Sequence, residues 1–101
     1  MEIKEAQKKV DERINELGGY WSPLSMFARI TEELGEVARA MNIKYGEKRS
    51  KNQDDERNLR KELGDLQFTL LAIGNKCEID IEDALLEKMG ADHARDKEVY
   101  K

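Results

Sequence analysis

The strings Glu33-Leu34-Gly35-Glu36 and Glu62-Leu63-Gly64-Asp65 are near-copies of each other, and the segments around them decide the fold. Around both strings, apolar side chains recur every three or four residues. This periodicity is typical of amphipathic helices. Each string also sets two carboxylates three residues apart, which makes them neighbours on one face of a helix. The pattern therefore predicts two long helices, each carrying an acidic pair.

These two helices are expected over about residues 23–45 and from about 54 or 55 to between 76 and 78. We expect their apolar stripes to be Phe27, Ile30, Leu34, Val37 and Met41 in one helix, and Leu59, Leu63, Leu66, Leu70 and Ile73 in the other. At about 100° per residue, Glu33 and Glu36 lie roughly 60° and 120° to one side of the stripe. Glu62 and Asp65 fall at the same two angles, so both pairs are predicted to flank the core on equivalent edges.

Two further helices are predicted from the same periodicity. The first covers about residues 2–17 and stops at Gly18-Gly19. Ser22-Pro23 provides an N-cap and a first helical residue for the second helix. Residues 47–55 contain no hydrophobic side chain and are expected to form a mobile polar loop. A short last helix is expected from 81 to about 89, with Gly90 weakening any ragged continuation toward 97.

The composition limits the classes of protein that this chain can belong to. Its 101 residues fit one domain, 1–101, and 40% of them are charged, with a net charge of −4. We expect an all-α, four-helix-type bundle that assembles as a homo-oligomer, because a chain of this size has a modest core. No dense basic surface for nucleic acid and no membrane-spanning run is evident. A cytoplasmic location is predicted, since the single cysteine permits no internal disulfide.

The acidic pairs have two interpretations. Solvated acids on amphipathic helices are one, because 22 acidic residues in a chain this short produce pairs by chance. A cage for Mg²⁺ or Mn²⁺ is the other, since carboxylates without histidine or cysteine suit these cations. His93 does not follow the Glu-x-x-His pattern of di-iron bundles. Gly35 and Gly64 favour the cage, because glycine weakens a helix and is best explained if something packs closely against it.

The chain resembles the MazG-like, all-α nucleoside triphosphate pyrophosphohydrolases. The family pattern Glu-Glu-x-x-Glu followed by Glu-x-x-Asp stands here as Glu32-Glu33-Leu34-Gly35-Glu36 and Glu62-Leu63-Gly64-Asp65. Ser22-Pro23, Asn75 and the segment from Ile79 to Met89 extend the similarity to about residues 20–90. An aromatic residue that several relatives carry four positions after the motif aspartate is replaced by Thr69, so base and sugar preference do not transfer.

The resemblance implies Mg²⁺-dependent hydrolysis of a ribo- or deoxyribonucleoside triphosphate to the monophosphate and pyrophosphate. It implies house-cleaning of non-canonical or surplus nucleotides, and homodimers or homotetramers whose sites neighbouring subunits complete. The implied metal ligands are Glu33, Glu36, Glu62 and Asp65. Glu32 is implied to orient or deprotonate the attacking water or to help bind a second metal, so Glu32 and Glu33 are the candidate catalytic residues. Asn75 and Lys88 are implied to face the nucleotide or its phosphates.

Two more substrate-binding candidates come from residue type alone. Trp21 has the chemistry to stack on a base, although an aromatic residue at a helix entry also packs as a staple or at an interface. Lys48, in a local basic run, could grip phosphates or could simply be solvated. Two other functions stay open: a non-catalytic helical module for oligomerisation, and a nucleotide sensor that binds without turnover.

Overall fold

The computed structural model describes the backbone of residues 1–46 and 55–99, and the side chains of residues 1–46 and 58–90. It contains four helices: α1 (Ile3–Glu16), α2 (Pro23–Tyr45), α3 (Asp55–Lys76) and α4 (Ile81–Val99). The described segments contain no strand, which confirms the all-α prediction. The polar loop predicted at 47–55 lies, up to residue 54, outside the described residues. No described helix has the length and apolarity needed to cross a membrane.

Local sequence explains most of the helix ends. The Ser22 hydroxyl accepts a hydrogen bond from the backbone N–H of Ser25 at 3.2 Å, and Pro23 is the first residue of α2. Gly18 and Gly19 end α1 with φ of +111° and +104°, a region that favours glycine. Asp80 caps α4 by accepting from the N–H of Asp83 at 3.0 Å.

The last helix does not end near residue 89. It continues without a break through Gly90 to Val99, along the segment where only a ragged continuation toward 97 was expected. The physical reason is that one glycine lowers helix propensity by only about 1 kcal/mol, which the helix formers on either side offset.

The core lies where α1 crosses α3. The buried apolar cluster consists of Val10, Ile14, Met26, Leu71 and Ala72. The contact of α2 with α3 is the most extensive in the fold, and α1 packs on α3 and, less extensively, on α4. Residues from all of the first three helices therefore meet at one end of the α2–α3 pair.

The predicted apolar stripes do not form this core, and that expectation was wrong for a single chain. Phe27 is 66% exposed, Leu34 59% and Met41 50%, and on α3 Leu63 is 49% exposed. The buried side chains of α2 are Met26, Glu33, Val37 and Ala40, of which only Val37 belongs to the predicted stripe. The face that α2 turns to α3 is thus rotated from the centre of the stripe toward the acidic edge. One motif acid is consequently buried between the helices.

Candidate metal and nucleotide site

Glu33 is the most buried motif acid, with 4% of its surface exposed. Its Oε1 accepts a hydrogen bond from Nε of Arg29, one helical turn earlier, at 2.8 Å. Its Oε2 is buried and has no hydrogen-bond partner. A buried carboxylate oxygen without a donor is unfavourable unless a cation faces it.

Glu62 on α3 resembles Glu33 in having a carboxylate oxygen that is buried without a partner. Its Oε2 is also buried without a hydrogen-bond partner. A hydrogen bond with the Glu36 carboxyl raises the pKa of Glu62, and burial and the negative charge of Glu36 raise it further. Two carboxyls can hydrogen-bond only if they share a proton, so this pair marks a place where negative charge is crowded.

Asp65 and Glu32 complete the acidic motif. Asp65 is half-buried and accepts a hydrogen bond from Lys61 at 2.8 Å, while Glu32 is exposed. In this arrangement, the described side chains include no group of three or more acids, histidines or cysteines already placed to hold a metal. The acids nevertheless fit a hard cation in chemistry, because the donor set is all carboxylate and includes two buried oxygens that lack hydrogen-bond donors.

A cavity of about 260 Å³ opens beside these acids. Glu33 and Asp65 line it on the acidic side, and Arg29 lies next to Glu33. The rest of its wall is mostly apolar and aromatic: Ile14, Leu17, Gly19, Tyr20, Trp21, Met26, Phe68, Thr69 and Ala72. An apolar cavity with a few polar groups at one end is the usual form of a small-molecule site.

Among the predicted substrate-binding residues that the structure describes, Trp21 alone lines this cavity. Trp21 is 57% exposed, and the guanidinium of Arg29 lies 5.6 Å from the centroid of its ring. Sequence reasoning did not single out Arg29. Its position four residues before Glu33 was the available signal, because side chains at that spacing are neighbours on a helix.

Asn75 is held in a different place. It lies ten residues after Asp65, about 15 Å further along α3. Its amide nitrogen donates to the carbonyl of Gln7 at 2.9 Å, and its Oδ1 accepts from Nε2 of Gln7 at 3.1 Å. Gln7 also binds the backbone of Ile79 and Ile81, so this network ties α1 to α3 and α4. Asn75 therefore has a packing role, and the nucleotide contact that the resemblance implies for it stays a prediction.

Of the other two candidates, only Lys88 is among the residues that the structure describes. Lys88 is exposed on α4 and does not line the cavity. Lys48 lies outside the described residues.

Gly35 and Gly64 do not have the close neighbours that were predicted for them. A Cβ built at either position meets nothing within 4 Å. The expectation that something packs closely against them was therefore wrong within one chain. Gly74 is the helical glycine that does need its small size, because a Cβ there would lie 2.7 Å from Cγ1 of Ile81 and 2.9 Å from Nε2 of Gln7.

Comparisons with a family model, with a curated relative and with solved structures agree on one protein family. The MazG nucleotide pyrophosphohydrolase domain matches residues 21–100. The uncharacterized protein YpjD of Bacillus subtilis (strain 168) is 42% identical over 97 residues, which cover 95% of this chain and 87% of YpjD.

Two crystal structures are similar along most of their length. The Bacillus-conserved MazG protein, a nucleotide pyrophosphohydrolase, is 41% identical with a TM-score of 0.78, covering 90% of this chain and 88% of that one. The YpjD structure from Bacillus subtilis is also 41% identical with a TM-score of 0.83, covering 90% and 94%. This chain therefore belongs to the MazG family of nucleotide pyrophosphohydrolases, which are hydrolases.

Proposed function

We propose that this protein hydrolyses ribo- or deoxyribonucleoside triphosphates to the monophosphate and pyrophosphate, with Mg²⁺ as cofactor and Mn²⁺ as a substitute. The observation that carries the proposal is the pair of buried carboxylate oxygens without partners, Oε2 of Glu33 and Oε2 of Glu62, together with the apolar cavity that Glu33 lines. Family membership supports the reaction class. Clearance of non-canonical or surplus nucleotides is the physiological role that such an activity would serve.

We assign metal binding, activation of the attacking water and stacking of the base to different residues. Glu33, Glu36, Glu62 and Asp65 would hold the cation, which when bound polarises a phosphoryl oxygen and lowers the pKa of a bound water. Glu32 is exposed at the edge of the motif and would orient the attacking water or take its proton. The aromatic wall of the cavity, with Trp21 at its mouth, would accept the base by stacking.

Homo-oligomerisation is part of the same proposal. Exposed apolar side chains follow the stripes of α2 and α3, including Phe27, Leu34 and Leu63. Contiguous apolar surface of this kind marks an interaction site. A second copy is the occupant that we infer, as a dimer or as part of a tetramer, because the same stripe on both copies is complementary to itself.

The test is pyrophosphate release from a panel of ribo- and deoxyribonucleoside triphosphates with Mg²⁺. We expect turnover of at least one of them, and Glu62→Gln is expected to reduce it by at least about tenfold because a ligand charge is lost. Glu12→Gln, an exposed acid on α1, is the matched control and should behave as the unsubstituted protein. Folded protein that binds Mn²⁺ but turns over no triphosphate would contradict the enzyme and favour the sensor. Indifference to metal would favour the non-catalytic module.

A further inference from the structure

Arg29 joins the acidic end of the site to the wall of the cavity. Its Nε donates to Oε1 of Glu33 at 2.8 Å, and its guanidinium lies 5.6 Å from the centroid of the Trp21 ring. These two contacts fix both the position and the plane of the group. Its side chain remains 49% exposed, so it is open to a ligand.

The contact with Glu33 uses only part of the guanidinium. An arginine side chain carries five N–H donors in a planar fork, and a single one of them is taken up by Glu33. Among the described residues, its two terminal amino groups make no hydrogen bond. A positively charged fork with free donors binds two oxygens of a phosphate at once, which a lysine cannot do.

The place of Arg29 matters as much as its chemistry. A nucleotide with its base in the cavity and its phosphates at the cation would extend across the boundary between the apolar cavity and the acidic residues. Arg29 and Glu33 stand at that boundary, since both line the cavity and Glu33 is also the most buried motif acid. The acids repel a triphosphate, and the positive charge of Arg29, paired with Glu33, offsets part of this repulsion beside the cavity.

We propose that Arg29 is a phosphate-binding residue of this site: its Nε positions Glu33, and its two amino groups bind the phosphate chain of the substrate. The inference rests on the proposed function, because it takes the substrate to be a nucleoside triphosphate. It assigns to Arg29 a direct contact with substrate that is separate from the holding of the cation.

The test measures binding of inorganic tripolyphosphate with Mg²⁺ by calorimetry. Arg29→Gln and Arg29→Lys are expected to weaken this binding by about tenfold or more, since a hydrogen bond between charged groups is lost. The lysine variant is expected to lose less, because it keeps the charge without the fork. Arg13→Gln, which removes an exposed arginine paired with Glu16 on α1, is the matched control and should bind as the unsubstituted protein.

A second measurement separates phosphate binding from a role through Glu33 alone. Mn²⁺ binding in the absence of phosphate should change much less in Arg29→Lys than tripolyphosphate binding does. Equal losses of Mn²⁺ and tripolyphosphate affinity would overturn the inference, and so would unchanged tripolyphosphate binding in both variants. The lysine variant decides the question if circular dichroism shows that Arg29→Gln does not fold.

The two proposals fail in different ways. If the unsubstituted protein turns over triphosphates while both Arg29 variants bind tripolyphosphate normally, only the inference on Arg29 is wrong. If the unsubstituted protein neither binds tripolyphosphate nor turns over any nucleotide, the proposed function is wrong and the inference is overturned with it. Trp21, the single tryptophan of the chain, provides a fluorescence signal beside Arg29 for both experiments.

Discussion

Glu33 and Glu62 each bury an oxygen atom that has no hydrogen-bond partner, and this sets the behaviour of the site at the residue scale. Arg29 and Lys61 relieve part of the negative charge, each from one turn before the acid that it binds. The neighbouring Glu36 carboxyl and burial raise the pKa of Glu62, which favours the neutral form of Glu62. A divalent cation would relieve the remainder, which is why binding of metal and stability of the fold should be linked.

The first prediction concerns pH. The pKa of Glu62 is raised in the folded protein, so the folded state holds this proton more tightly than the unfolded state. The stabilisation is fully present below the unfolded pKa of about 4.3 and is lost as pH rises through the higher folded value. Urea unfolding without divalent cations should therefore show stability falling as pH rises through the raised pKa of Glu62, with Mg²⁺ restoring it.

Glu62→Gln provides the control for that prediction, because it removes the titrating group. Its stability should vary less over the same pH range. If the unfolding free energy of Glu62→Gln depends on pH as strongly as that of the unsubstituted protein, another group is responsible for the pH dependence. The N-cap Asp80 does not confound the result: the N–H of Asp83 lowers the pKa of Asp80, so its contribution is lost only as pH falls through that lowered value.

At the element scale, the glycines of α2 and α3 divide into two kinds. Gly35 and Gly64 stand at open positions of their helices, whereas Gly74 faces the side chains of Ile81 and Gln7. The same substitution should therefore have opposite effects at the two kinds of position.

Gly35→Ala and Gly64→Ala are expected to stabilise the protein by up to about 1 kcal/mol each, because alanine is the better helix former and meets no neighbour. Urea unfolding measures this. A loss of stability in either variant would indicate that a second copy packs against that glycine.

Gly74→Ala is expected to destabilise the fold by about 1–3 kcal/mol, since its Cβ would lie within 3 Å of Ile81 and Gln7. The substitution should also weaken the packing of α1 and α4 on α3, because Gln7 binds Asn75 and the backbone of both Ile79 and Ile81. Thermal unfolding tests it. Stability equal to that of the unsubstituted protein would mean that the Gln7 network moves aside freely.

At the scale of the whole molecule, the single chain is open. Its radius of gyration is 16.9 Å, against about 13 Å for a compact domain of about 100 residues. Half of the ten side chains in the apolar stripes of α2 and α3 remain exposed: Phe27, Leu34, Met41, Leu63 and Leu70. Both features are expected of a chain that completes its core with another copy.

Sedimentation analysis tests this expectation. The unsubstituted protein should be a dimer or tetramer, and Leu34→Glu should shift it toward the monomer by placing a charge on the stripe. Leu24→Glu is the matched control, because Leu24 is 77% exposed on the same helix but lies outside the stripe. A monomeric unsubstituted protein, or equal dissociation by both variants, would contradict this assignment.

The sequence by itself determined the four helices and the acids that they carry, because periodicity, caps and breakers act within one turn of helix. The bounds of α2 came out as predicted at Pro23–Tyr45, and those of α1 and α3 within one or two residues. The continuation of α4 past Gly90 was predicted only as a ragged extension toward residue 97, since propensity alone does not decide how far a helix continues.

Only the tertiary structure decided which side of each helix is buried. Hydrophobicity placed the stripe of Leu34 and Met41 inside, but α3 covers the edge of α2 that carries Glu33. The choice depends on how two helices cross, which no spacing within one helix specifies. For the same reason, the contact of Arg29 with Trp21 and the Gln7–Asn75 network emerged only in three dimensions.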